Sequence, residues 1–327
     1  MTHDSTDSLD SLVVHDFETI QRIGRGSQGV VFKARHQTTG ELAVVKTFVG
    51  ENSAVAGYRE AWALYKLHLE GGHPNIVGYK SCSACGSHLV LDYIDGVELL
   101  EVVQQQDGIK GGPLVSLFAQ MYAGVRHMHA VGLTHLDLKL ENAIYSLSTG
   151  RVVWIDFGLS ITHEPDEDGL YLRQPVPFSG SRAYCAPELL AGRATDGFAA
   201  DVWSLGVCLF AATTTRFPFE EASMHDARFR LYVKSAEAGR SPLRALCAGK
   251  RSYELSDEAI DLIERMLCPC PERRIGLDEV RKHPWMVANS PSAAAPPVAG
   301  AGSRCKRRVA GCSSVPRSAA ANSAECF

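Results

Sequence analysis

Several things are scarce in this chain of 327 residues, and each shortage narrows what it can do. There is no large surplus of either charge: the net is -4, which argues against nucleic acid or an anionic membrane as the main partner. No apolar run approaches the ~18 residues that a membrane span requires. Thr2 stands where N-myristoylation needs glycine, and the closing AECF has no cysteine four from the end for prenylation. The opening MTHDSTDSLDSL is polar and acidic, unlike a secretory signal. Internal repeats are absent. The ten cysteines are scattered, several of them inside apolar runs, as Cys208 is in SLGVCLF. That pattern suits buried thiols in a reducing compartment better than a disulfide framework. Cys82 and Cys85 have the spacing of half a zinc site, with no second Cys/His pair of matching spacing. These shortages lead to the expectation of a soluble intracellular protein, cytoplasmic or nuclear, with neither nucleic acid nor a membrane as partner.

What the chain does have is core-forming capacity, since hydrophobic residues make up 45% of it. Charge is unevenly spread. From Asn289 onward, Arg304, Lys306, Arg307, Arg308 and Arg317 oppose only Glu325, a net of +4, so the remainder carries -4 minus +4, or -8. After about Ala288 the text becomes SPSAAAPPVAGAGS, too poor in large apolar residues to offset chain entropy, and residues 288–327 are expected to form a disordered basic tail. Residues 1–15 read as a flexible leader. Between these ends the pattern changes once. From Phe17 to about Thr47, alternating apolar residues flank turn signals, the mark of an antiparallel meander. A helix follows, with Trp62, Tyr65 and Leu69 on one stripe, and then a strand at 87–94. Further on the periodicity is helical: 114–128 ending near Gly132, the nearly all-apolar 201–212, and 256–267 behind a Ser256 cap.

Chemistry-bearing residues fall at defined points in this frame. Gly24-x-Gly26-x-x-Gly29-x-Val31 precedes a strand pattern, where a Rossmann loop leads into a helix, and so points to a strand-turn-strand flap whose backbone can approach phosphates. Lys46 follows three apolar strand residues in Ala43-Val44-Val45-Lys46, placed to reach phosphate oxygens. THLDLKLENAI then offers His135, Asp137, Lys139 and Asn142, a set suited to orienting a hydroxyl and holding a metal.

With Asp156-Phe157-Gly158 and Ala186-Pro187-Glu188 added in order, the chain resembles the eukaryotic protein kinases from about Phe17 to Met286. The resemblance implies an α+β, two-lobed fold: a small antiparallel-sheet N-lobe (about 16–92) with one main helix, and a larger, mainly helical C-lobe (about 96–287). It implies ATP and Mg²⁺ as cofactors. By this resemblance Lys46 pairs with the phosphates and with Glu60, and Leu64 makes a core contact one turn later. Asp137 steers the substrate hydroxyl, Lys139 stabilises the transferred group, and Asn142 and Asp156 hold magnesium. Ile23, Gly24, Gly26, Gly29, Val31, Ala43, Leu91, Asp92, Ile94, Glu98 and Ile144 surround the nucleotide. Among these Leu91 is the gatekeeper, the backbone of Asp92 and Ile94 meets adenine, Val31, Ala43 and Ile144 sandwich the ring, and Glu98 lies near the ribose. Arg274 is expected to pair with Glu188.

Lys139 and the GSRAYCAPE segment resemble serine/threonine kinases, and KLHLEGGHPNIV and KHPWM resemble the calmodulin-dependent and AMP-activated group. Protein substrates with serine or threonine acceptors are implied, with basic residues upstream where Glu98 and Glu141 would meet them; Ala211 stands at a third position that is acidic in such relatives. One residue departs from the family. Leu136 occupies the place of the arginine before the catalytic Asp, a cation commonly neutralised by an activation-segment phosphate. The expectation is activity independent of phosphorylation through that contact, with Tyr171, Ser179 and Ser181 as candidate phosphosites in a segment whose acidic stretch is Glu164, Asp166, Glu167 and Asp168. A nucleotide-binding scaffold without efficient transfer is the main alternative, and a small-molecule phosphotransferase is a third.

Overall fold

A computed structural model describes residues 13–26, 29–167, 171, 176, 180–193, 196–248 and 255–288. The expected tail beyond Ala288, most of the leader, Asp168 and Ser179 lie outside the described residues, and Ala288 itself is helical.

The first part of the chain is a sheet with one long helix. Its strands are β1 (Val13–Val14), β2 (Phe17–Gly26), β3 (Gly29–His36) and β4 (Leu42–Phe48), followed by α1 (Ser53–Leu69), β5 (Tyr79–Cys82) and β6 (His88–Asp92). The six strands pair antiparallel in the order β1-β2-β3-β4-β6-β5. Strand alternation divides their side chains between two faces. Val14, Phe17, Phe32, Ala34, Ala43, Val45 and Val90 close a small cluster on one face. Phe48, Leu89 and Leu91 join the main core, which α1 also enters through Ala61, Ala63, Leu64 and Leu67.

The stripe singled out on this helix is turned the other way. Trp62 and Leu69 are 57% and 63% exposed and Tyr65 is 39% exposed, whereas Gly57, Glu60, Ala61, Ala63, Leu64 and Leu67 are buried. Small residues let the helix approach the sheet closely, and that closeness outweighs the larger apolar area of the other stripe. Leu64, one turn after Glu60, is in the core as expected.

The second part is mainly helical. It comprises β7 (Gly96–Glu98), α2 (Leu99–Gln105), α3 (Gly111–Ala130), β8 (Leu133–Thr134), β9 (Ala143–Ser146), β10 (Val152–Trp154) and β11 (Ile161–Thr162). Then come α4 (Pro187–Leu190), α5 (Gly197–Thr214), α6 (Ala227–Glu237), α7 (Pro242–Cys247), α8 (Asp257–Met266), α9 (Leu277–Lys282) and α10 (Pro284–Ala288). Helix α5 is long and apolar enough to cross a bilayer by composition, but 89% of it is buried inside the protein, so it is the central core helix. Asp196 caps it through Phe198 N, and Ser256 caps α8 through Ala259 N at 3.2 Å. Gly132, at φ +71°, follows α3 and starts the turn into β8. Strands β7, β9 and β10 form a small sheet, and β8 pairs with β11. Between them these short ladders carry the 135–142 and 155–158 segments, so the candidate chemistry sits where the two parts of the chain meet.

Candidate active site

Pleat parity decides which residues of β3 and β4 face the cleft between the two parts. Val31 pairs with Lys46 and Phe32 with Val45, so Val31, Val44 and Lys46 share a face. Ala43 does not. Its side chain is wholly buried on the opposite face with Phe32, Val45 and Val90, against the expected cleft position, and the residue of this strand that shares the Lys46 face is Val44. Gly29 has a structural reason for being glycine: a Cβ there would collide with the Thr47 carbonyl oxygen of β4. No such neighbour crowds Gly26, and a Cβ on Gly24 would make only ordinary contact with the Val31 side chain, from 3.7 Å. Ile23 is 47% exposed at a register shift between β2 and β3.

Lys46 Nζ lies 2.6 Å from Glu60 Oε2 and 2.8 Å from Asp156 Oδ1. Burial pushes the ammonium down, but the two carboxylates outweigh it and hold Lys46 above its ordinary value. Asp156 moves the other way, below the usual carboxylate range, because Lys46 overcomes its burial. Burial dominates at Glu60, which is fully buried and raised, and its Oε1 has no hydrogen-bond partner. One cation thus draws on carboxylates from α1 and from the segment after β10.

The connection after β6 carries the expected hinge residues. Leu91 is buried. The Asp92 amide donates to the Gly78 carbonyl at 2.9 Å, and its carboxylate takes Lys80 at 2.9 Å. Ile94 packs partly on the main core, and Ile144 pairs with Glu98 across β7 and β9. Burial, then Glu141 and Glu101, raise Glu98, so the exposed mouth of the cleft concentrates negative charge.

The 135–142 segment is held from beneath by Asp201 of α5. Its carboxylate accepts from His135 N and Leu136 N, both at 2.8 Å, and lies 2.9 Å from His129 Nε2. This clamp maintains Leu136 at φ +62°, a conformation that L side chains rarely adopt. The Leu136 side chain is buried. Asp137 emerges next. Its Oδ2 accepts from Lys139 Nζ at 2.7 Å and from Asn142 Nδ2 at 3.0 Å, and its Oδ1 accepts from Ser181 N at 3.0 Å. Lys139 Nζ also donates to Ser181 Oγ at 3.0 Å. Asn142 Nδ2 is committed to Asp137, which leaves its oxygen as the acceptor end. That oxygen and the Asp156 carboxylate are hard donors of the kind Mg²⁺ takes together with phosphate oxygens. Among the described residues no group of three His, Cys, Asp or Glu is placed to hold a metal ion.

One contributor is not evident from the letters. Asp201 was hidden in an apolar helix, where a lone carboxylate was itself the signal. Ser181, expected only as a candidate phosphosite, binds both Asp137 and Lys139, a contact spanning more than forty residues that no local pattern encodes. Glu141, expected to face substrate, also accepts from Tyr184 OH at 2.8 Å. The expected Glu188–Arg274 pair is present and bidentate, at 2.7 and 2.9 Å.

The family model for the protein kinase domain matches residues 17–286. The serine/threonine-protein kinase SRK2C of Arabidopsis thaliana is 32% identical over 278 residues, which is 84% of this chain and 76% of that protein. SAPK9 of Oryza sativa subsp. japonica, also a serine/threonine-protein kinase, is 31% identical over 286 residues, 86% of this chain and 75% of its own. A human SNF-related serine/threonine-protein kinase is 30% identical over 281 residues, 85% of this chain but 34% of that protein. The chain belongs to the protein kinase family and is a serine/threonine protein kinase.

Proposed function

We propose that this kinase transfers the γ-phosphoryl group of Mg-ATP to serine or threonine hydroxyls of protein substrates, without requiring a phosphate on its activation segment. The observation that carries the reading is Lys46, within 2.8 Å of both Glu60 and Asp156, beside an Asp137 already oriented by three donors. When bound, Mg-ATP supplies the transferable group and the cation that neutralises its charge. Lys46 orients phosphate oxygens, and Glu60 keeps the lysine in place. Asp137 directs the acceptor hydroxyl and receives its proton, while Lys139 stabilises charge on the group in transit. The residues are complete, which leaves the scaffold reading without support. Labelled transfer to peptide, protein and small-molecule acceptors, with Asp137→Asn as control, tests this; transfer to small molecules alone would overturn it.

Independence from activation-segment phosphate rests on Leu136. A buried leucine neither recruits a phosphate nor leaves a cation needing one, and Asp201 anchors the loop backbone in its place. The clustering of Glu98, Glu101 and Glu141 supports a preference for basic residues upstream of the acceptor. A peptide library showing no Arg or Lys enrichment there would remove that part of the proposal.

A further inference from the structure

The Cys82–Cys85 pair takes no part in phosphoryl transfer, and the rest of a zinc site is missing among the described residues. The two thiols lie at the turn joining β5 to β6, and they are unlike each other. Cys85 is exposed at the tip, with Sγ 2.9 Å from Ser87 Oγ and 3.5 Å from Ser83 Oγ. Those hydroxyls stabilise its thiolate and bring the thiol down to about 7. Cys82 is half-buried against the main core, and its Sγ contacts the Ser83 carbonyl at 3.5 Å. Burial, then the neighbouring Cys85, push it up. One residue, Ser83, touches both sulfurs. It also closes the turn, accepting from Gly86 N through its carbonyl and from His88 N through its hydroxyl, both at 2.9 Å. The Gly86–Ser83 bond closes a tight turn over residues 83–86, with Cys85 inside it and Cys82 immediately before it, so bridging the two sulfurs draws the turn inward.

The turn is docked on the start of α1. A Cβ on Gly57 would collide with the Gly86 carbonyl, and one on Gly86 would lie 2.8 Å from the Ala54 carbonyl. Tyr58 OH donates to the carbonyl of Ala84, which lies between the two cysteines. Glu60 is two residues beyond Tyr58 on that helix.

We propose that Cys82 and Cys85 are a peroxide-reactive dithiol, a second chemical site whose oxidation shifts α1 and weakens the Lys46–Glu60 pair. The Cys85 thiolate attacks one oxygen of a hydroperoxide. The O–O bond breaks, the other oxygen leaves as alkoxide and takes a proton, and Cys85 becomes a sulfenic acid. The Cys82 sulfur, its proton lost to water, then attacks the Cys85 sulfur. Hydroxide leaves and is protonated to water. The two thiols lose two electrons to the peroxide, giving one disulfide, one alcohol and one water. The pulled-in turn draws the Ala84 carbonyl, and with it Tyr58 and α1.

The dithiol itself is tested without the kinase reading. The full chain is treated with hydrogen peroxide, its free thiols are alkylated, and its peptides are analysed by mass spectrometry. A reducible Cys82–Cys85 bridge is expected, with Cys82→Ser stopping at a sulfenic acid on Cys85 that dimedone traps. Free thiols at both positions after treatment, or bridges elsewhere only, would overturn the site. Its coupling to α1, which rests on the proposed function, is read separately as phosphotransfer. A several-fold loss restored by dithiothreitol is expected in wild type but not in Cys85→Ser. A bridge that forms while wild type and variant keep equal activity would overturn the coupling and leave the kinase reading intact.

Discussion

Two buried charge pairs in this molecule are built on opposite principles. Arg274 is saturated: it holds Glu188 with two bonds, donates to the carbonyls of Ala199 at 2.8 Å and Cys268 at 3.0 Å, and sits 5.1 Å over the Trp203 ring. Lys46 is shared between two carboxylates, and one oxygen of its Glu60 partner is left without a bond. A saturated pair has one good arrangement and fixes α4 to α5. The shared pair can give up one contact when phosphate oxygens arrive, which a nucleotide site requires. Completeness of hydrogen bonding therefore separates the structural pair from the working one, although both looked alike as letters.

The contrast can be broken from the structural side first. Arg274→Ala strands the Glu188 carboxylate, so a loss of roughly 3–5 kcal/mol is expected in chemical denaturation. A change below ~1 kcal/mol would mean the pair is not the fixture described. From the working side, Lys46→Met should cost roughly 10²–10³ in kcat, the scale of losing one charge-stabilising donor, while the folded state persists by circular dichroism. Unfolding of this variant to the same extent as Arg274→Ala would erase the distinction. Leu136→Arg places a cation in an apolar site and should lower both stability, by about 1–3 kcal/mol, and transfer; an unchanged or raised rate would count against the account of the Asp201 clamp. The smallest effect concerns acid. Asp156 is held below its ordinary range, so its contribution is present above the unfolded value near ~3.9 and is lost as pH falls through the lower folded value. Asp156→Asn should flatten that part of the acid unfolding curve, and superimposable curves would show that Lys46 does not stabilise it.

Spacing within one strand or loop was readable from the letters. Asp137, Lys139 and Asn142 fall within six residues, and Lys46 and Glu60 are fourteen apart across one strand and one helix, so local geometry nearly determines their meeting. Ala43 was misplaced because the lysine strand was matched by its letters instead of by alternation, which assigns Val44 to the cleft. Helix α1 was misread because its apolar stripe is large, whereas close packing on the sheet selected the small one. Contacts that join distant segments, such as Asp201 to Leu136 and Ser181 to Asp137, depend on how the helices stack, which no window of sequence contains.

The most direct test of the central claim is transfer of labelled γ-phosphate to a basic serine peptide by phosphatase-treated wild-type protein, beside Asp156→Asn. The account predicts robust transfer by the dephosphorylated wild type and none by the variant. Transfer that appears only after the activation segment is rephosphorylated would contradict it.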